Sequence, residues 1–267
     1  MSRRHLTFPC GGETLVGTLD EAPGAHAAGL LLVTGGNETR AGAFAGQAHI
    51  AAEIAAAGFP VFRFDRRGTG DSTGENTGFL HSGPDIAAAL VAFRAECPGL
   101  TRMVALGNCD AASALMLNAG AGCDALVLAN PWTIEDGHDA PPPAAIRARY
   151  AEKLKNPREL ARLLSGKVSL AKLARGLTYA LRKPAPSGLA QRMQAGLGGF
   201  SGEVRILLAG RDRTAQAFEA AWDAEDQRIM RCPGADHAFS GEEARQFLLA
   251  QLLAALQDEE AGKLHMG

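Results

Sequence analysis

The chain has 267 residues, 46% of them hydrophobic and 21% charged, and can bury the core of a full globular domain. No stretch approaches the roughly 18 consecutive apolar residues that a membrane span needs, and no apolar secretory segment follows the N-terminal charges. The five cysteines form no C-x-x-C pair, and no cluster of cysteine and histidine has the spacing of a zinc site. We therefore expect a cytoplasmic protein with reduced thiols and with no structural metal, disulfide framework or cofactor.

The formal net charge of −2 hides an uneven distribution of charged residues. The segment from Arg147 to Arg192 contains 12 basic residues and 2 acidic ones. A solvated helical face would account for any one of these bases, whereas their excess favours attraction of an anionic substrate. Nucleic acid is the weaker interpretation, because only 6% of the residues are aromatic and no recognition motif accompanies the bases.

Strand and helix patterns alternate along the chain, which is typical of a mainly parallel sheet with helical crossovers. The first apolar run, at 30–33, ends at a pair of glycines. Ile50 and Ile54 then share one face of a predicted helix that Gly58 ends. The elements predicted after it are a strand at 59–65, a helix at 84–93, strands at 103–106, 125–129 and 204–209, and a helix at 242–256. We expect a single open sheet with helices on both of its faces.

One long segment, 133–200, interrupts the alternation and is predicted to be all helical. Asn156 and Pro157 predict the start of one helix within it, and Ser169 predicts the start of a second. Because open α/β sheets bind ligands outside the carboxyl ends of their strands, we interpret the segment as a cap over those ends. The predicted organisation is a core formed by 1–132 and 201–258, a helical cap at 133–200 and a tail at 259–267.

The most informative short motif is Gly-Asn-Cys-Asp-Ala-Ala at 107–112, between a predicted strand and a helical pattern. A tight strand–turn–helix junction requires small residues two positions before and two positions after its centre, and Gly107 and Ala111 are small. Cys109 would then project at the positive end of the helix, where a thiolate is favoured. The alternative is that Cys109 is a buried small hydrophobic residue, as most free cysteines are. The hexapeptide alone does not separate the two interpretations.

A catalytic thiol needs a base and a third group that orients the base. Among the seven histidines, only His237 lies in a loop of small residues between a strand-like stretch and the last helix. Asp212 directly follows the last predicted strand and is the first candidate for the acid. Asp236 is the second candidate, because adjacent residues in a loop seldom reach each other's ring nitrogen. The chain order Cys109, Asp212, His237 matches the triad order of one hydrolase fold.

Five motifs in this order resemble the α/β-hydrolase superfamily over nearly the whole chain. They are an oxyanion-loop strand at 32–36, a D-x-R-G-x-G-x-S turn at 64–72, a nucleophile elbow at 107–111, an acid turn at 210–212 and a histidine loop at 234–239. Within the superfamily, the cysteine elbow, the loop at 33–36 and the basic cap at 150–181 resemble the exosortase A system-associated hydrolase 1 subfamily of exopolysaccharide-producing bacteria. The resemblance implies an α/β-hydrolase fold with a mostly parallel open sheet, helices on both faces and a helical cap insertion.

The resemblance also implies roles for individual residues. Cys109 would be the nucleophile, His237 its base and Asp212 the group that orients the imidazolium. The attacked carbonyl oxygen would be held by two backbone N–H groups, those of Asp110 and Gly36. No metal has a role in this mechanism.

Two residues depart from the usual pattern of the superfamily. Cysteine replaces the usual serine nucleophile, as it also does in dienelactone hydrolases, and Ala111 replaces the usual glycine. A thioester intermediate often passes its acyl group to an amine or a thiol more readily than to water. We interpret the turn at 65–72 as a brace for the elbow, Trp132 as a pocket wall and Asn130 as a partner of nearby backbone, all outside the catalytic set.

The sequence therefore predicts a hydrolase that cleaves a small-molecule ester or thioester through an acyl-thioester on Cys109, in exopolysaccharide- or exosortase-linked metabolism. We expect the basic cap to attract an anionic substrate, and nucleic acid is not an expected partner. Two alternatives stay open, an acyltransferase with the same triad and an inactive hydrolase fold that binds a partner through its cap. The sequence specifies neither the acyl acceptor nor an oligomeric state.

Overall fold

Eight strands form one sheet in the computed structural model, which describes residues 2–24, 26–135 and 188–257. The strands are β1 (Arg3–Cys10), β2 (Glu13–Asp20), β3 (Ala28–Val33), β4 (Val61–Phe64), β5 (Arg102–Asn108), β6 (Ala125–Ala129), β7 (Glu203–Ala209) and β8 (Ile229–Cys232). Their order across the sheet is β1-β2-β4-β3-β5-β6-β7-β8. The β1–β2 and β2–β4 pairs are antiparallel and the other five are parallel, which confirms the predicted fold class.

The antiparallel β1–β2 hairpin is the part of the sheet that the sequence analysis did not predict. Its turn contains Gly11 and Gly12, whose φ angles are +57° and +89°. Such positive φ values are readily adopted by glycine, so this pair suits a tight reversal of the chain. Five predicted strands correspond to β3, β4, β5, β6 and β7, and the strand-like stretch before His237 corresponds to β8.

Helices cover both faces of the sheet. The α-helices of the described ranges are α1 (Gly46–Ala56), α2 (Gly83–Glu96), α3 (Asp110–Leu117), α4 (Gly188–Gly198), α5 (Arg213–Ala221) and α6 (Glu242–Gln257). Buried residues of α1 and α6 pack in one apolar cluster, and buried residues of α2, α3, α4 and α5 pack in a second. None of these helices is long and apolar enough to cross a membrane.

The two clusters lie on opposite faces of the sheet because side chains alternate along each strand. In β5, Met103 and Ala105 belong to the cluster of α2 to α5, whereas Val104 and Leu106 belong to the cluster of α1 and α6. All four side chains are buried, at 0–7% exposure. A strand covered on both faces reads as a continuous apolar run, which explains why the sequence predicted the central strands.

Most of the predicted cap, 133–200, lies outside the described residues, as do both of its predicted helix starts and the tail at 259–267. The described end of the segment contains α4, which packs against α3. Leu189, Met193 and Leu197 of α4 are buried at 3%, 0% and 2% exposure in the cluster of α2 to α5. The helix α4, near the end of the segment, therefore contributes to the packing of the core.

The predicted site residues follow the carboxyl ends of parallel strands. Gly36 follows β3, and Cys109 follows β5. Asp212 follows β7, and His237 follows β8. Because the carboxyl ends of parallel strands meet at one edge of the sheet, these loops come together in space.

Candidate active site

Cys109 occupies a sharp turn between β5 and α3. Its φ and ψ angles are +61° and −126°, a conformation that non-glycine residues rarely adopt. A Cβ atom on Gly107 would lie 2.7 Å from the carbonyl carbon of Ala111, so the turn requires glycine at that position. The Cys109 N–H donates to the carbonyl of Ala129 at 2.9 Å, which ties the turn to β6. The structure therefore has the small residues and the strained centre that the sequence predicts for a nucleophile elbow.

The three residues of the predicted triad lie together. Nδ1 of His237 is 3.0 Å from Oδ2 of Asp212, and the His237 ring also forms a hydrogen bond with the Cys109 side chain. The Asp212 carboxylate accepts from the Ala215 N–H at 3.1 Å and caps the start of α5. The carboxylate that caps the helix is thus also the one that holds the imidazole. Sulfur, ring and carboxylate form a continuous hydrogen-bonded chain.

The local charges favour a protonated imidazole. The hydrogen bond with Asp212, followed by that with Cys109, raises the pKa of His237 from 6.5 to about 10, although burial opposes the shift. Burial alone would raise the pKa of Asp212, but the hydrogen bond from His237 and two backbone N–H donors lower it below its usual value. The ring is therefore a cation beside the sulfur at neutral pH.

The second acid candidate, Asp236, is bonded elsewhere. Its carboxylate accepts from the backbone N–H of Ser240 at 2.8 Å and from the Ser240 hydroxyl. These two hydrogen bonds lower the pKa of Asp236. The His237 ring is paired with Asp212 instead, as the sequence analysis expected.

The residues predicted for the oxyanion hole also adjoin the elbow. The Gly36 N–H donates to Oδ1 of Asp110 at 2.8 Å, and the Gly36 carbonyl accepts from the buried Arg66 guanidinium. A Cβ atom on Gly35 would lie 2.6 Å from the same Asp110 oxygen and 2.9 Å from the Asn108 carbonyl. The loop after β3 can therefore press against the elbow only with glycine at 35. The Gly36 N–H is therefore already hydrogen-bonded to a carboxylate oxygen, that of Asp110.

A cavity of about 260 Å³ adjoins this site. Cys109, His237 and Gly36 form one side of it. Its remaining walls are mostly apolar and come from the strand ends, the segment between β3 and α1, α1 itself, α6 and the His237 loop; they include Leu32, Ala43, Ile50, Leu106, Ala129, Phe239 and Leu248. Within the described ranges, no cluster of three or more His, Cys, Asp and Glu side chains could hold a metal ion.

The model of the alpha/beta hydrolase family matches residues 30–251, which is most of the chain. This protein belongs to that family. The match spans the elbow, the acid turn and the histidine loop. No curated protein matches the chain with significant similarity.

Solved structures with the same architecture cover almost the whole of this hydrolase. The α/β hydrolase GrgF from Penicillium sp. sh18 is 19% identical, with a TM-score of 0.63 over 96% of this chain and 98% of that one. The Pyrococcus furiosus esterase Pf2001 is 15% identical, with a TM-score of 0.63 over 96% and 91%. A thioesterase domain from the curacin biosynthetic pathway is 13% identical, with a TM-score of 0.58 over 95% and 100%. At these identities the likeness establishes the fold.

Asn130, predicted to lie outside the catalytic set, holds the loop of His237 in place in this hydrolase. Its side-chain N–H groups donate to the His237 carbonyl and to Oδ1 of Asn108, both at 3.1 Å. Its own oxygen accepts from the Ala209 N–H at 2.9 Å. Asn130 is fully buried and has a φ of +44°. It therefore links the ends of β5, β6 and β7 to the loop that carries His237.

The turn at 65–72 also contacts the active site of the hydrolase, through Arg66. This side chain is 2% exposed, and its guanidinium donates to the Gly36 carbonyl. Asp65, fully buried, accepts from the backbone N–H of Arg40 at 2.6 Å and from that of Asp71 at 3.1 Å. The turn thus braces the loop after β3, and its role as a brace for the elbow stays a prediction. Arg66 stands at the variable position of the D-x-R-G-x-G-x-S motif, whose own arginine is Arg67, so the motif gave no sign of this contact.

Proposed function

We propose that this α/β hydrolase cleaves an ester or a thioester of a small molecule through a covalent acyl-thioester on Cys109. The observation that carries the proposal is the hydrogen-bonded chain of Cys109, His237 and Asp212 beside an apolar cavity. The esterase and the thioesterase domain with the same architecture support the same class of bond.

The first half of the reaction forms the acyl-enzyme. The Cys109 sulfur attacks the carbonyl carbon, having given its proton to His237, and the carbonyl π electrons move to oxygen. When the tetrahedral intermediate collapses, the bond to the leaving group breaks, and the His237 imidazolium supplies a proton to that group. Asp212 keeps the ring oriented and compensates its positive charge throughout.

The second half of the reaction releases the acid. His237, now neutral, takes a proton from a water molecule whose oxygen attacks the thioester carbon. The C–S bond then breaks, and the proton returns to the sulfur. If an amine or a thiol takes the place of water, the same steps give acyl transfer.

The negative oxygen in both halves is stabilised by the backbone N–H groups of Asp110 and Gly36. Removing one such donor typically lowers kcat by about 10²–10³-fold. Because the Gly36 N–H is paired with Asp110 Oδ1, the Asp110 side chain must turn away before the substrate oxygen can accept from that donor. This displacement is a step that an alanine or serine at 110 would not require.

The finer features of the proposal come from the sequence. The excess of bases between Arg147 and Arg192 supports a substrate with an anionic leaving part, and rates on such a substrate should fall with added salt. The likeness to the exosortase A-associated subfamily supports a cytoplasmic role in exopolysaccharide-linked metabolism.

The proposal is tested with p-nitrophenyl esters and acyl thioesters, comparing the wild type with Cys109→Ala. We expect the variant to lose at least about 10³-fold in kcat/KM while melting at the temperature of the wild type. Added amines or thiols that divert the acyl group from water would indicate the acyltransferase alternative. Activity that survives in Cys109→Ala would contradict the proposed nucleophile.

A further inference from the structure

We propose that the cavity beside Cys109 is the acyl pocket of this enzyme and takes an uncharged acyl group of up to about eight non-hydrogen atoms. The inference rests on the proposed function, because it names the acyl half of the substrate. It assigns the selection of acyl length to residues of α1 and α6.

The position of the cavity relative to the nucleophile supports this assignment. The cavity lies on the sheet face that α1 and α6 cover, beyond the carboxyl ends of β3, β5 and β6. Ile50 of α1 and Leu248 of α6 line it, and Cys109 and His237 border it. An acyl group attached to the sulfur can therefore extend between the two helices.

The volume of the cavity limits the length of the acyl group. The cavity holds about 260 Å³. A water-sized group takes about 30 Å³ in a liquid, so roughly eight such groups fill the space. A longer straight chain would have to leave the cavity or displace its walls.

The polarity of the walls excludes a charged acyl group. Leu32, Leu106 and Leu248 are 1%, 7% and 4% exposed, and no lysine or arginine occurs among the described residues that line the cavity. The exposed Glu38 is the acidic residue of that lining. The cation of the described lining, His237, lies beside the sulfur, so a carboxylate at the far end of the acyl chain would lose its hydration without gaining a cation there. An anionic part of the substrate therefore belongs to the leaving group.

Labelling with alkyl methanethiosulfonates tests the pocket independently of hydrolysis. The Cys109 thiolate attacks the alkylthio sulfur of the reagent and forms a mixed disulfide. The bond to the sulfonyl sulfur breaks, and methanesulfinate leaves with the electron pair. Peptide mapping by mass spectrometry measures the label at Cys109 separately from that at the other four cysteines.

For the wild type, we expect the labelling rate of Cys109 to increase with chain length, by up to about fourfold per methylene, and to fall for chains longer than about eight atoms. A reagent of equal length that ends in a carboxylate should react at least about tenfold more slowly than the neutral one. Rates that do not depend on chain length would overturn the proposal, as would equal rates for the charged and neutral reagents.

Two variants test whether the named walls set the limit. Ile50→Phe should reduce the ratio of hexyl to methyl labelling by about tenfold, and Leu248→Ala should move the optimum to longer chains. The matched control is Val91→Phe, because Val91 is 70% exposed on α2, across the sheet from the cavity. Ratios that are equal in Ile50→Phe, Leu248→Ala and Val91→Phe would overturn the assignment.

A parallel series of p-nitrophenyl esters separates this inference from the proposed function. Length-dependent labelling without hydrolysis of any ester would uphold the pocket and contradict the hydrolase proposal. Hydrolysis with a length profile that Ile50→Phe leaves unchanged would uphold the hydrolase and overturn the pocket.

Discussion

At the scale of single residues, the proposed chemistry depends on the charge of one imidazole. His237 is hydrogen-bonded to a carboxylate and to a thiol, and its pKa is raised to about 10 by those contacts. Stability linked to this group is fully present below its ordinary value of 6.5 and is lost as the pH rises towards 10. The lowered pKa of Asp212 has the opposite sign: its contribution is lost as the pH falls through the lowered value.

The contributions of the two partners to that pKa can be measured by NMR titration of His237. We expect Asp212→Asn to move the pKa from about 10 towards 6.5 by more than Cys109→Ala does, because the hydrogen bond with Asp212 is the larger cause. The His237→Gln variant identifies the resonance among those of the seven histidines. A smaller shift in Asp212→Asn than in Cys109→Ala would show that the sulfur dominates instead.

The Asp110 carboxylate is expected to slow the reaction, because it accepts a hydrogen bond from the Gly36 N–H, one of the two N–H groups proposed to stabilise the negative oxygen. Asp110→Asn keeps an oxygen acceptor for the Gly36 N–H but removes the charge. Charge-assisted hydrogen bonds exceed neutral ones by about 1 kcal/mol, so we expect kcat to rise by roughly fivefold. The measurement is kcat with a p-nitrophenyl ester at saturation. A lower kcat in Asp110→Asn would mean that the carboxylate assists catalysis.

At the scale of elements, the elbow was predictable from the sequence and the network behind it was not. Small residues at 107 and 111 are a local requirement of the turn, so they can be read from the chain. The bonds of Asn130 join strand ends that are far apart in sequence, and an isolated asparagine carries no local sign of them. The hydrogen bond from the Gly36 N–H to Asp110 likewise depends on how the loop after β3 packs against the elbow.

Asn130→Gly tests the network, because glycine accepts a φ of +44° without strain but lacks the side-chain amide. We expect kcat to fall by about tenfold and the free energy of unfolding by about 1–3 kcal/mol, since the Ala209 N–H loses its acceptor. Steady-state kinetics and urea unfolding measure the two effects. A purely structural role for Asn130 would leave kcat and the pKa of His237 unchanged in the folded variant.

At the scale of the whole molecule, the centre of the parallel core was predictable because β3, β5 and β6 consist mostly of apolar residues, whereas the antiparallel edge was not. The hairpin is held to the core partly by charge: Arg63 of β4 donates to Asp20 of β2 at 2.7 Å. The Arg63 and Asp20 side chains are 4% and 0% exposed. A buried ion pair between strands that are far apart in sequence is not visible in the periodicity of either strand.

Removing Asp20 should destabilise the fold strongly, because it leaves Arg63 buried without its partner. For Asp20→Ala we expect a loss of about 3–5 kcal/mol in the free energy of unfolding. The control is Glu21→Ala at the neighbouring position, where the carboxylate is 40% exposed and pairs with Arg4; the loss of stability there should be far smaller. Equal effects in urea unfolding would contradict the assigned role of the buried pair.

The central claim is that Cys109 carries the acyl group during the reaction. Mass spectrometry of the intact enzyme, quenched during turnover of p-nitrophenyl hexanoate and followed by peptide mapping, tests it most directly. We expect one added hexanoyl group on Cys109 in the wild type and none in Cys109→Ala. Turnover without acylation of Cys109, or with the acyl group on another residue, would contradict it.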